Sequence, residues 1–309
     1  MSKSTLLYSG SAGLNNKVDP KRISFNPQTG VIDLATAYNV DIDASGRISR
    51  RKGYTTTAVT SNIHSLFCDG GDCFYVSGTS LYKLNEDHTS ALVVTGLAYG
   101  IRMWYVQVGY KTYYSNGYQL GYVEGGVNHT WEAGTYVGPT TYVQYSNPPL
   151  GTQLEVHSGR MYIAQGKTLW YSEPFWYGGF DLASNFVSFY SNIQMVKAVN
   201  DGLYVSDEYN TFFLRGYNPK EFTIKMVDKA AAILGTAVKV PGRDIGRIKY
   251  EYNQGKPGRV VMWTTRHGIC IGMDSGEFNS LTEDRLEFPS ALVGTAVYHQ
   301  DKYICLLFE

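Results

Sequence analysis

"CFYVSGTSLYKL", Cys73–Leu84, reads as a strand, a tight turn at Gly78 and a second strand. Aromatic and β-branched side chains suit a pleated strand, and Gly suits the turn between two of them. The plan returns in "RMYIAQGKTLWYS" (Arg160–Ser172) and, with a longer turn, in "DGLYVSDEYNTFFLRG" (Asp201–Gly216). Looser copies are "YVQVGYKTYYSNGYQLGYV" (Tyr105–Val123) and "HGICIGMDSGEFNSL" (His267–Leu281). "VGTAVYHQDKYICLLFE" (Val293–Glu309) supplies a last hairpin. Their spacing brackets the ~40–50 residues of a propeller blade.

Composition agrees with an all-β chain. Tyr is abundant at 26 copies and Gly at 33, while charged residues make up only 17%, below the roughly 25% of soluble domains. Short runs such as "GLYVS" and "TFFLR" alternate with period two and are bounded by Asp, Asn and Gly. The best helical candidate is "VDKAAAILGTA" (Val227–Ala237), with an Asp near its start and Gly235 near its end. Radially arranged four-stranded meanders, a β-propeller, account for this pattern. Six blades are expected, with five as the alternative. "ATAYNVDI" (Ala35–Ile42) and "GRISRRKGY" (Gly46–Tyr54) form an early hairpin. Early and late hairpins are each half a sheet with exposed edges, so ring closure by pairing N-terminal with C-terminal strands is expected. Residues 1–34 then form an extended arm and residues 35–309 one propeller domain. "SNPPLGTQ" (Ser146–Gln153) and "QGKPGR" (Gln254–Arg259) are the clearest loops.

Zero net formal charge argues against a general polyanion binder. No apolar run has the length of a signal peptide or the ~18 residues of a membrane span. The four cysteines do not form a disulfide framework in a chain this long, and Cys68 and Cys73, flanking "DGGD", read as a free pair facing each other across a hairpin.

Motifs for chemistry are weak. "DIDASG" (Asp41–Gly46) resembles the start of a calcium loop, but its twelfth position is Lys52 where a bidentate carboxylate is needed. It reads instead as a turn from Asp43 to Gly46. Arg47, Arg50, Arg51 and Lys52 follow; in a strand, Arg50 and Lys52 share one face and Arg47 and Arg51 the other, which halves any patch. These cations read as subunit-contact or DNA-channel charges. "GKT" (Gly166–Thr168) sits in a turn between strands, lacks the earlier Gly of a phosphate loop and does not open a helix. No two of the six histidines have the i, i+4 metal spacing, and the repeat motifs of sialidase and WD propellers are missing. Glu173 and Asp181 are the one imaginable glycosidase pair. "YSEPFWYGGFDL" (Tyr171–Leu182) holds Pro174 and Gly178–Gly179, so it reads as a loop, folded on the rim or presenting Phe175, Trp176, Tyr177 and Phe180 as docking anchors. No catalytic residue, metal or cofactor is expected.

"NVDIDASGRISRRKGY" (Asn39–Tyr54), after the "GLNN" at Gly13–Asn16, resembles the opening of virion proteins of tailed bacteriophages, and "LWYSEPFWYGGFD" (Leu169–Asp181) resembles a stretch of the same proteins. The resemblance covers the N-terminal sixth and one central segment. It implies a β-propeller tail component of short-tailed phages, a nozzle or head-completion protein without the large inserted domains of bigger members. It also implies a homo-oligomeric ring, a hexamer by expectation, that contacts portal, adaptor and tail-fibre proteins and touches genomic DNA transiently. The chain would be made in the host bacterial cytoplasm and reside in the virion tail. A glycan-binding or glycan-cleaving propeller, and a non-viral scaffold propeller, are the alternatives.

Overall fold

A computed structural model of the protein describes residues 10–25, 30–43, 45–53, 62–134, 145–241 and 258–309. Among them there is no α-helix. Five four-stranded antiparallel sheets follow one another along the chain, each a meander in strict sequence order. They are blade 1 (residues 63–94), blade 2 (104–129), blade 3 (152–188), blade 4 (195–228) and blade 5 (238–280). A hairpin, Val293–His299 with Lys302–Phe308, takes the sixth position. The fold is a β-propeller.

Period-two alternation builds the core. In the strand Arg160–Gln165, Met161 and Ile163 face blade 2, where they pack with Val106, Tyr113 and Trp131. Tyr162 and Ala164 face blade 4, where they pack with Val196, Leu203 and Val205. Successive side chains point to opposite faces, so a strand clamped between two neighbours must be apolar on both. That is why the middle strands read as near-continuous apolar runs. The remaining junctions repeat the plan: Phe74 and Leu81 against Tyr114, Tyr204 and Phe213 against Trp263, and Val260 and Ile271 against Tyr298 and Tyr303. The Tyr204 hydroxyl lies 2.7 Å from the Met273 carbonyl and 2.8 Å from that of Glu277, so its polar end is satisfied inside the junction.

The first strand of each of the five blades and of the C-terminal hairpin faces the centre. Ile63–Asp69, Trp104–Val108, Thr152–His157, Met195–Val199, Val238–Pro241 and Val293–His299 all contribute to, or flank within the same blade, a single central cavity.

The N-terminal arm is folded back onto the ring. Ser11–Leu14 pairs in parallel with Ile32–Leu34. The Ser11 N–H donates to the Gly46 carbonyl at 2.8 Å, and a Cβ at Gly46, whose φ is +81°, would press on Ser11. The Arg285 guanidinium donates to the Ala12 carbonyl at 2.6 Å, and the Asn16 side chain exchanges hydrogen bonds with the backbone of Glu287. Val40–Ile42 and Ile48–Arg50 form the expected early hairpin. A ladder between it and the C-terminal hairpin is not among the described pairings; Lys302 Nζ reaches Asp41 Oδ1 at 3.1 Å instead. Of the loops expected from sequence, Gln254–Arg259 lies outside the described residues apart from its last two.

Two expectations are corrected. Val227–Ala237 is not a helix: Thr223–Asp228 is the outermost strand of blade 4, and the chain then crosses to blade 5 through bends, two isolated bridges and a turn at Gly235. The Ile233 N–H donates to the Thr264 carbonyl, and the Gly294 N–H to the Leu234 carbonyl. Tertiary hydrogen bonds and burial of Ala230, Ala232 and Ile233 override alanine's helix propensity. Cys68 and Cys73 are not a free pair but a disulfide, with Cα atoms 4.1 Å apart at directly opposed positions of a hairpin. The free thiols are Cys270 and Cys305.

Candidate functional site

Three features have the makings of a site: the cationic hairpin, the aromatic loop and the central cavity. In the hairpin, Asp43 organises the turn. Its Oδ1 accepts from the backbone N–H and hydroxyl of Ser45 and from the N–H of Arg47. The Ser45 hydroxyl, then the Arg47 N–H, hold this carboxyl below its ordinary value. Asp43 Oδ1 is engaged in the turn and Asp41 pairs with Lys302, and no cluster of three metal-ligating side chains occurs among the described residues. Arg47, Arg50, Arg51 and Lys52 are all exposed. The expected two-and-two split stops short, because the strand ends at Arg50. Arg51 then turns its N–H to the Asn39 carbonyl, and Arg50, Arg51 and Lys52 line one open depression with Asn39 and Gly53.

The aromatic loop turns mostly inward. Phe180 is 0% exposed in the junction of blades 2 and 3, so it is no docking anchor. The half-buried Trp176 donates its Nε1–H to the Ala133 carbonyl at 2.7 Å and meets Tyr145 edge-on. Tyr177, also half-buried, offers its carbonyl to Trp131 Nε1–H at 3.0 Å. Only Phe175 points out, at 81% exposure. The apolar loop residues are drawn in because the underlying junction leaves space that Phe180 fills and the backbone hydrogen bonds to Ser146 and Gly159 pin both flanks. The imagined acid pair belongs to the same scaffold. Glu173 accepts from Asn185 Nδ2 at 2.7 Å, and Asp181 accepts from the Ser184 hydroxyl at 2.6 Å.

The central cavity was not anticipated from the sequence. It holds about 600 Å³, within the range of small-molecule sites. At its middle stands a charged belt assembled from three blades. Glu155, 1% exposed, receives a hydrogen bond from Lys239 Nζ at 3.0 Å on Oε1, while Lys197 Nζ stands 3.9 Å from Oε2. Burial pushes the Glu155 carboxyl up, but Lys239, Lys197 and the Val156 N–H together outweigh it and hold the group below its ordinary value. Burial lowers Lys197, with Glu155 opposing and Lys239 reinforcing the change. Above the belt, at the entry end of the inner strands, Arg102 crosses from blade 2 to donate to the Gly294 carbonyl at 2.6 Å and to that of Leu234 at 3.4 Å. It also covers the Trp104 ring at 5.4 Å. Burial, and then the charge of Arg102, hold His64 below its ordinary value. The signal that could have located this belt is a lone charge inside an apolar inner strand, as in "MVKAV" and "VKVP".

The meander order also sorts the turns. Entries into first strands and links between second and third strands lie on one face of the ring; the other links lie on the opposite face. Exposed Tyr99, Tyr118, Tyr190, Tyr209 and Leu292 belong to the first face, and Tyr110, Val127, Phe175 and Tyr217 to the second.

No family model matches the sequence, and no curated protein matches it. Among solved structures the chain is similar to a catalytically inactive virginiamycin B lyase from Staphylococcus aureus with quinupristin, at 9% identity over 87% of this chain and 84% of that one, with a TM-score of 0.46. It is similar to a streptogramin B lyase at 10% identity over 85% and 80%, with a TM-score of 0.48. It is also similar to the WD40 domain of Neurospora crassa Pan2 at 10% identity over 68% and 60%, with a TM-score of 0.41. Likenesses at this level assign no activity to the chain.

Proposed function

We propose that the chain is a structural, ring-forming subunit of a tailed-bacteriophage virion, seated at the tail or head–tail junction and without a catalytic role. The observation that carries an assembly role is the gathering of exposed aromatic side chains on the turns of both faces. Aromatic residues are the usual anchors of protein interfaces, and two opposed aromatic faces suit contacts above and below. The phage assignment is supported by the resemblance at Asn39–Tyr54. That segment places Arg47, Arg50, Arg51 and Lys52 on the surface, free to meet a neighbouring subunit or DNA. The propeller axis itself is crossed by Arg102 and narrowed by the Glu155 belt to a cavity of about 600 Å³, so DNA would pass through a channel enclosed by several copies, with six as the working number. Copies related head to tail close into such rings. Portal, adaptor and tail-fibre proteins are the proposed neighbours.

Mass spectrometry of purified virions, together with negative-stain imaging of the isolated protein, tests this. The expected result is the protein in stoichiometric amount in particles and rings in the images. Absence from purified particles would overturn the reading.

A further inference from the structure

We propose that the central cavity binds a small organic monocarboxylate carrying a hydroxyl and an apolar body, with its carboxylate at Lys197 and Lys239 and its hydroxyl on Glu155. The inference rests on the cavity alone and does not depend on the virion reading.

Charge is the first argument. Two ammoniums share one carboxylate in the belt, which leaves one positive charge uncompensated; Glu155 is 1% exposed, the Lys197 side chain 19% and that of Lys239 37%. An excess charge held at a partly desolvated site favours a counter-ion. Arg102 adds to the positive field, with two of its N–H groups on the Leu234 and Gly294 carbonyls. The other carboxylate lining the cavity, Asp69, sits at the exposed far end of its strand. The belt itself carries one excess charge, which a monoanion offsets, and phosphate has no apolar body to lay against the wall.

Hydrogen-bonding capacity is the second. Glu155 Oε2 is buried and accepts no hydrogen bond, and Lys197 at 3.9 Å is beyond hydrogen-bond reach of it. A group that donates to Oε2 while its anionic neighbour accepts from the lysines would satisfy all three side chains. A 2-hydroxy acid carries that pair of groups on adjacent atoms. The cavity wall is the third argument: Phe67, Met103, Val297, Ile304 and Leu306 offer apolar surface to the rest of the ligand.

Isothermal titration of the full chain at fixed ionic strength, with 2-hydroxyisocaproate, isocaproate and inorganic phosphate as probes, reads the outcome. Saturable binding of the hydroxy acid is expected. Isocaproate should bind about tenfold more weakly, the effect of one hydrogen bond to a charged acceptor, and phosphate should not compete. Lys197→Met and Lys239→Met should abolish binding. Because either variant could misfold, the wild-type protein supplies a second readout. Acetylation mapped by peptide mass spectrometry should show Lys197 and Lys239 protected by the hydroxy acid, and the exposed Lys225 unprotected. Failure of the hydroxy acid to bind, equal binding of all three probes, or protection absent at both lysines would each overturn the proposal.

Discussion

Lys239 Nζ lies 3.0 Å from Glu155 Oε1, joining the innermost strands of blades 3 and 5 across the centre of the ring. The two residues are 84 apart in sequence. Glu155 is completely enclosed, so its two lysines are its solvent as well as its partners. Removing the carboxylate leaves both ammoniums without their counter-charge. Glu155→Ala should therefore destabilise the protein by about 1–3 kcal/mol, less than for a fully buried pair because the Lys239 side chain is 37% exposed. The paired replacement Glu155→Leu with Lys239→Met should cost much less, because no charge is stranded. Urea denaturation midpoints at neutral pH measure the difference; equal losses would place the Glu155–Lys239 pair in solvent.

The same carboxylate sets a pH dependence. Its folded-state pKa lies below the ordinary value of 4.5, since Lys239 and Lys197 outweigh the effect of burial. A depressed acid contributes stability that is fully present above the unfolded value and is lost as pH falls through the folded one. Wild-type stability should thus drop on acidification below about pH 4.5, and Glu155→Gln should flatten that part of the profile. Chemical denaturation across pH 3 to 7, on the order of one measurement per half unit, compares the two slopes.

The sheets were legible because their cause is local. Period-two alternation, turn glycines and aromatic strand residues all act within a few positions, and each blade is a meander of sequence neighbours. The belt was not legible, because Glu155, Lys197 and Lys239 are each an isolated charge in a different segment and meet only when the inner strands converge. The aromatic loop was half legible. Pro174 and the glycine pair marked it as irregular, but no local rule states that Phe180 drops into the blade junction while Phe175 stays out. Val227–Ala237 misled for the same reason in reverse: a run of alanines signals helix locally, and the crossing between blades required small side chains for its burial.

Cys68 and Cys73 give a prediction about covalent structure. The disulfide closes a short hairpin, with a sequence separation of 5. Short loops gain little from cross-linking, so Cys68→Ser with Cys73→Ser should cost about 2 kcal/mol and leave the fold intact. Thiol titration of the unreduced protein in denaturant should find two thiols, those of Cys270 and Cys305, and reduction should reveal the other pair. Burial pushes the Cys270 thiol up to about 12, so in the native protein at neutral pH it should react only on unfolding. Four reactive thiols before reduction would remove the disulfide from the structure.

Phe175 and Phe180 separate surface from support within one loop. Phe180 fills the junction of blades 2 and 3 against Val106, Leu154 and Met161. Phe180→Ala should cost about 3–5 kcal/mol through the cavity it leaves. Phe175 lies outside, with its ring over Gly159, and Phe175→Ala should change stability by no more than about 0.5 kcal/mol. Gly178 fixes the distance between the loop and blade 2: a Cβ there would collide with the Glu132 carbonyl, so Gly178→Ala should destabilise as well. Under the assembly reading, Phe175→Ala should also weaken ring formation, since this exposed aromatic on the outer turns is the part of the loop left to meet a partner. Thermal denaturation of the three variants, with analytical ultracentrifugation of Phe175→Ala, separates the two roles. A large stability loss in Phe175→Ala together with a neutral Phe180→Ala would mean that the loop is inverted relative to the structure described.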